Sequence, residues 1–300
     1  MAHHHHHPTV SGKNLFFTIL LNVGITAAQL IGGFISGSLA LLSDAVHNLS
    51  DVLSLIISYA ANWLSRKRKQ NLGQTFGYKR AEIIAAFFNA ATLIVIAVVL
   101  GIEAIKRFNT PIAISSTIVI WLAIIGIAGN GFSVLLLKKD AHHNLNMRSA
   151  YLHLLTDMLT SIAVLLGGLL MKYYQIYWVD AILTLIISVY LIYMSWRILV
   201  DSLKILMLFA PDHITIKDIE SAILKLPNIK NIHHVHVWQL NDHNIHFEAH
   251  IEFSKDINLS NFDISCEKIE TLLADTFGIY HSNLQPEFDR DDNKEFIIQD

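Results

Sequence analysis

The 300-residue sequence contains one cysteine, Cys266, five prolines, and only 16% Asp, Glu, Lys and Arg. A single thiol excludes a disulfide framework and any cysteine-rich metal cluster. The scarcity of charge, beside 53% hydrophobic residues and a mean hydropathy of +0.43, excludes an ordinary soluble enzyme and points to a membrane protein. What charge there is lies unevenly. Residues 1–210 carry 15 Lys and Arg against 8 Asp and Glu, whereas residues 211–300 carry 7 against 17. The net charge of −3 thus conceals a basic body and an acidic one, joined near Ala210-Pro211. Histidine, by contrast, is abundant, with seventeen copies.

Crossing about 30 Å of hydrocarbon takes about 20 helical residues. Six apolar stretches meet this, over 14–36, 39–64, 81–105, 112–137, 147–171 and 177–203. They lack the period-2 alternation of barrel strands. The expected fold is therefore a polytopic α-helical membrane domain over 14–208, preceded by a His-rich segment over 1–13, native or a purification remnant, and followed by a soluble domain over 209–300. The basic connections are 65–80, with Arg66, Lys67, Arg68, Lys69, Lys79 and Arg80, and 138–148, with Lys138, Lys139 and Arg148. Basic residues stay on the cytoplasmic side, so both termini and the acidic tail are expected there. The first run lacks a small-residue cleavage site, so no signal peptide is expected. Tyr177 and Trp178 read as interfacial anchors.

The tail reads α-β-β-α-β, a small α+β unit. Ile216, Ile219, Ile223 and Leu226 recur at helical spacing behind Thr215, a candidate cap, with Pro227 as the stop. Strands follow over 231–240 and 245–253, with Asn241–Asn244 as the turn. In the second strand Ile245, Phe247, Ala249, Ile251 and Phe253 alternate with His246, Glu248, His250 and Glu252. A helix over 259–277 is expected to bury Leu259, Phe262, Cys266, Ile269, Leu273 and Phe277. A last strand covers 281–288.

An ionisable side chain inside a span costs about 2.5–3.5 kcal/mol for Asp on insertion scales, so it usually marks a functional path. The second stretch holds His47 and Asp51, the fifth His153 and Asp157. A spacing of four puts each pair on one helix face. Two such helices together offer two imidazoles and two carboxylates, the number and type that suit tetrahedral zinc. A lone histidine in a span is more simply a packing residue hydrogen-bonded across an interface; two matching pairs favour a metal. Asp44, three residues before His47, reads as a helix-start or supporting group rather than a ligand.

Three segments carry a family resemblance. They are Gly37-Ser-Leu-Ala-Leu-Leu-Ser-Asp-Ala-Val-His47-Asn-Leu-Ser-Asp51, Phe76-Gly-Tyr-Lys-Arg-Ala-Glu82, and Asn144-Leu-Asn-Met-Arg-Ser-Ala-Tyr-Leu-His153-Leu-Leu-Thr-Asp157. With His233-His-Val-His-Val-Trp238 in the tail, they resemble the cation diffusion facilitator family, in its zinc-transporting branch. The resemblance implies a homodimeric, proton-coupled exporter of divalent zinc, with six membrane helices and a ferredoxin-like, metallochaperone-like cytosolic domain. It implies transport ligands at His47, Asp51, His153 and Asp157, and further zinc ligands at His233, His250 and His281, although Asn283 stands where some relatives place a coordinating carboxylate. Residues 65–80 contain no His, Asp, Glu or Cys, so the metal site some relatives carry there is expected to be absent. The connection between the fourth and fifth spans holds only His142 and His143, which suits a bacterial inner-membrane protein.

Zinc requires deprotonated ligands, so metal binding releases protons and protons expel metal. Histidine titrates near cytoplasmic pH, and a site that faces the cytoplasm and then the outside exchanges the two ions. The expected partners are divalent metal ions, protons, the lipid bilayer and a second copy of the chain, with no nucleic acid. No cofactor is expected, zinc being substrate and regulatory ligand; cadmium, cobalt and nickel are less securely excluded. A membrane metalloenzyme is disfavoured because four ligands close the shell and no Glu stands beside His47 or His153. A membrane-anchored sensor is disfavoured because an anchor has no use for ligands inside two spans.

Overall fold

The computed structural model describes residues 12–67, 75–137 and 145–298. The amino-terminal histidines, much of the basic connection with its expected lack of a metal site, and the loop with His142 and His143 lie outside the described residues. Six long helices come first: α1 (Gly12–Ser36), α2 (Leu39–Lys67), α3 (Lys79–Asn109), α4 (Ser116–Leu137), α5 (Leu145–Tyr174) and α6 (Trp178–Leu206). Then follow α7 (Ile216–Ile223), β1 (Ile229–Asn241), β2 (Asn244–Phe253), α8 (Leu259–Phe277) and β3 (His281–Glu287). Among the described residues four helical stretches are long and apolar enough to cross a membrane: Lys79–Asn109, Ser116–Leu135, Tyr151–Tyr174 and Trp178–Leu206. The described apolar part of α1, Asn22–Ser36, is shorter. In α2 the apolar run is broken by Asp44, His47, Asn48 and Asp51.

The chain divides into two compact units. One comprises the residues up to Tyr59 with Phe88–Ile198, the other Ala60–Phe87 with Leu199 onward. The second thus takes in the ends of α2, α3 and α6 as well as the tail.

In the first unit, small residues let the helices approach closely, the usual device where lipid supplies no hydrophobic drive between them. Ala40, Ala97 and Ala123 are buried among Leu41, Leu93, Val119, Met171 and Leu191. Large apolar side chains such as Phe34, Phe88, Trp121, Leu135 and Trp196 point outward, as suits a surface bathed in lipid. Trp178 is exposed, whereas Tyr177 is only half-exposed and packs on this core. Between α1 and α2 the chain reverses at Gly37, whose φ of 74° lies in the left-handed region that glycine adopts without steric cost. Beyond it Asp180, from the first turn of α6, caps α2. Its carboxylate accepts hydrogen bonds from Leu39 N at 2.8 Å, Ala40 N at 3.3 Å and the Ser38 hydroxyl. The Ser38 oxygen also accepts from Leu41 N at 3.1 Å. Four donors at a buried helix start are satisfied in this way.

In the second unit the sheet order is β1-β2-β3, antiparallel between the first two and parallel between the last two. The parallel pair needs a crossover, which α8 provides. Ile219 and Ile223 of α7, Ile269 and Leu273 of α8, and Ile232, Val235, Phe247, Ala249 and Ile251 of the strands form one core. Several details depart from the sequence reading, among them that Phe262, Cys266 and Phe277 of α8 are only partly buried. Thr215 occupies the cap position of α7, yet its side chain makes no capping bond. That helix ends at Ile223, before Leu226, through tighter turns at Leu224–Leu226. Leu259 of α8 is exposed rather than buried, because it sits in the first turn, just after the Asn258 cap whose side chain accepts from Asn261 N.

The same unit includes the segment entering α3. Lys79 Nζ donates to Asn244 Oδ1 at 3.1 Å, and the Phe76 ring meets His246 edge-on at 5.5 Å. His246 in turn stacks on Trp238, 5.4 Å away with a 20° interplanar angle. Burial, together with the nearby His281, Lys79 and Arg80, pushes the His246 imidazole below its ordinary pKa.

Candidate metal centres

The helical repeat carries each H-x-x-x-D pair onto a single face, and α2 and α5 turn those faces toward each other. His47 and Asp157 are buried or nearly so, while His153 and Asp51 lie on the more open side of the cluster. His47 Nε2 stands 3.3 Å from Asp157 Oδ1, and His153 Nε2 stands 3.1 Å from Asp51 Oδ2. Both pairs within one helix are longer, at 3.7 Å. All four ligand atoms lie within 4.8 Å of one another. A tetrahedral ion with bonds of about 2.0–2.1 Å holds its ligand atoms roughly 3.3 Å apart, and these separations fall close to that figure. His47 Nε2 and Asp157 Oδ1 are buried without a hydrogen bond of acceptable geometry. Such atoms are costly unless something else satisfies them. The set can therefore hold one divalent ion and neutralise its charge with two carboxylates.

One turn along, Asp44 is buried and takes no direct place in this cluster. Its Oδ2 accepts from Gln29 Nε2 of α1 at 3.0 Å and from Ser161 Oγ of α5 at 3.3 Å. Asn48 Nδ2 donates to Gln29 Oε1 at 3.0 Å, which fixes the direction of the Gln29 amide.

A second cluster lies in the C-terminal unit. His233 and His250 are cross-strand partners on β1 and β2, and Glu287 at the end of β3 reaches both. His233 Nε2 is 3.1 Å from Glu287 Oε2, and His250 Nδ1 is 2.9 Å from Glu287 Oε1. Asp292 completes the group, 3.9 Å from His233 Nε2. His281 is not among them. The parallel register pairs it with His246 and sets Gln285 beside His250, so its ring lies 4.4 Å from that of His246. Glu287 and Asp292 were not singled out in the sequence; the only signal was an acidic stretch after the last strand. They arrive because the chain after β3 folds back over β1, where His234 N and Val235 N bond to Glu295 O and Phe296 O. The register of β1 shifts between His233 and His236, with His234 at a φ of 51°, the signature of a bulge that re-aims side chains.

This second cluster already holds a cation. Lys294 Nζ donates to Glu287 Oε2 at 2.9 Å and pairs with Asp292. Burial opposes ionisation of Glu287, but hydrogen bonds from Lys294 and Gln285 and the Lys294 charge outweigh it and hold the carboxyl low. Burial and the neighbouring His234 and His233 lower the His250 imidazole despite Glu287. A neutral His250 beside ionised carboxylates is the protonation state a metal requires, and a metal there would displace the Lys294 ammonium.

Two family models match the chain, the cation efflux transmembrane domain over residues 15–207 and the cation efflux protein cytoplasmic domain over residues 211–288. The chain belongs to the cation efflux family. A cation efflux protein moves ions rather than transforming them, so this multi-pass membrane protein is a transporter and not an enzyme. It is 35% identical over 290 residues to a cadmium, cobalt and zinc/H(+)-K(+) antiporter of Bacillus velezensis, covering 96% of this chain and 92% of that one. It is 32% identical over 284 residues to the metal cation efflux system protein CzcD of Cupriavidus metallidurans, covering 95% and 89%. It is also 32% identical over 296 residues to the zinc transporter ZitB of Escherichia coli, covering 96% and 93%.

Proposed function

We propose that this cation efflux protein exports zinc from the cytoplasm in exchange for protons by alternating access, with cadmium and cobalt as secondary substrates. The observation that carries the reading is the cluster of His47, Asp51, His153 and Asp157, with nitrogen and oxygen atoms at separations suited to a tetrahedral ion. Two imidazoles favour zinc over harder cations. The metals for which the Bacillus and Escherichia relatives are named agree with that donor set. All six long helices span a bacterial inner membrane, with both termini on the cytoplasmic side. The C-terminal α-β-β-α-β unit is a ferredoxin-like cytosolic domain through which two copies pair. His233 and His250, with Glu287 and Asp292 in place of His281, form a regulatory zinc site there.

Zinc uptake into inside-out vesicles, driven by an imposed pH gradient, tests the reading. Native protein accumulates zinc with a counterflow of protons, and Asp157→Ala abolishes both. Zinc movement at an undiminished rate in Asp157→Ala, or without proton counterflow, overturns it.

A further inference from the structure

Asp44 is buried, charged in type, and unused by the transport mechanism above. It lies three residues before His47 on α2, and Ser161 lies four residues after Asp157 on α5. Each is thus one turn from a ligand on its own helix. The Ser161 hydroxyl bond to Asp44 Oδ2 is a direct tie between the two ligand-bearing helices, parallel to the His47–Asp157 contact. Gln29 extends the tie to α1. The fourth wall is α4, which approaches at Gly126. A Cβ there would stand 2.9 Å from Gln29 Nε2 and 3.1 Å from Ser161 Oγ, so only glycine leaves the bracket undisturbed. Gln29, Asp44 and Ser161 are each at most 1% exposed. The facing ionisable groups are His47 on its own helix and Asp157 on α5; Gln29, Ser161 and Gly126 bring no charge.

Resting on the transport-site reading, we infer that Asp44 is a positioning residue that sets the separation of α2 and α5, and so the size of cation the site prefers. Zinc takes short bonds, whereas cadmium is larger and needs a wider cluster. A bracket that holds the helices close therefore favours zinc. Groups that orient metal ligands from outside the first contact layer affect metal affinity strongly.

Zinc and cadmium binding to the purified full-length protein, measured by calorimetry, tests this through the ratio of the two affinities at the site that His47→Ala abolishes, which separates it from the C-terminal cluster. In Ser161→Ala, Gly126→Ala and Asp44→Ala, zinc affinity is expected to fall about tenfold with a smaller change for cadmium, so that the ratio drops. Ser161→Ala combined with Gly126→Ala should do no more than the larger single effect, since both act on one bracket. A purely structural role would lower the yield of folded protein and leave the ratio alone. If Asp44→Ala does not fold, the Ser161 and Gly126 variants decide the matter. An unchanged ratio in those two, or additive effects, overturns the inference while the transport site stands. Since the C-terminal cluster can bind zinc independently, a zinc stoichiometry in His47→Ala and Asp157→Ala no lower than in the native protein overturns the transport-site reading, and this inference with it.

Discussion

Replacing Asp180 by alanine should loosen the start of α2 by an amount the structure allows to be worked out. The carboxylate is 1% exposed and receives the Leu39 and Ala40 N–H groups and the Ser38 hydroxyl. Leu39 and Ala40 are themselves 5% and 1% exposed, so water cannot replace what is lost. Removing a helix cap costs about 0.5–2 kcal/mol, and each backbone donor left buried adds about 1–3 kcal/mol. Measured polar contacts between membrane helices are weaker, averaging about 0.6 kcal/mol, which argues for the lower end. A loss of about 3 kcal/mol is expected for Asp180→Ala. Asp180→Asn keeps one acceptor oxygen but turns an NH2 group toward a backbone donor, and should lose about half as much. Ser38→Ala, which leaves the carboxylate in place, should lose about 1 kcal/mol. Thermal unfolding in detergent micelles, followed by the folded fraction surviving gel filtration, ranks the three. A loss below about 0.5 kcal/mol for Asp180→Ala, or one no larger than for Asp180→Asn, would refute the view that this side chain caps α2.

Further outcomes concern the C-terminal unit and the proposed transport site. His47→Asp should loosen discrimination and admit cadmium more readily, because one of the two imidazoles that favour zinc is lost; unchanged zinc and cadmium competition in vesicles contradicts this. Glu287→Gln removes the carboxylate shared by His233, His250, Arg290 and Lys294. Breaking a buried ion pair from one side costs about 3–5 kcal/mol, and hydrogen exchange across β2 and β3 should quicken accordingly. Leu273→Ala, at a fully buried position, should cost about 2–5 kcal/mol, whereas Leu259→Ala on the exposed first turn should stay within about 0.5 kcal/mol. His246 has a lowered pKa when folded, so the folded state binds fewer protons than the unfolded chain. Its contribution to stability is complete above about pH 6.5 and is lost as the pH falls through the folded value. Protection of the Asn241–Asn244 amides, taken relative to the intrinsic exchange rate at each pH, should therefore fall on acidification, and His246→Phe should flatten that response.

The parts of this molecule legible in the sequence are those set by local periodicity. Helical spacing placed His47 with Asp51 and His153 with Asp157, and strand alternation placed the apolar row from Ile245 to Phe253. Contacts between distant segments left no such trace. Nothing near Asp180 in the chain announces that it caps a helix some 140 residues earlier. Likewise, no local pattern shows that each imidazole stands closer to the carboxylate of the other helix than to its own. His281 stands beside His246 rather than with His233 and His250 for a related reason: its neighbours depend on the register of a parallel strand, which is fixed by the crossover and not by the strand itself. Glu287 and Asp292 were hidden because a chain reversal after β3 and a bulge in β1 bring them to His233.

The crosswise pairing of His47 with Asp157 and His153 with Asp51 bears on the half of the proposed exchange cycle in which no metal travels. A carrier must come back empty, and a site built only of carboxylates would then drag bare negative charge through hydrocarbon, or pick up whatever monovalent ion was at hand. With one proton on each imidazole, the four side chains sum to zero. Each ring stands about 3 Å from a carboxylate oxygen on the opposite helix, so such protons would sit beside opposite charge. In the proposed cycle, the contacts that would divide a divalent ion between two helices would thus also join those helices once the ion is gone, leaving the unladen protein little reason to leak.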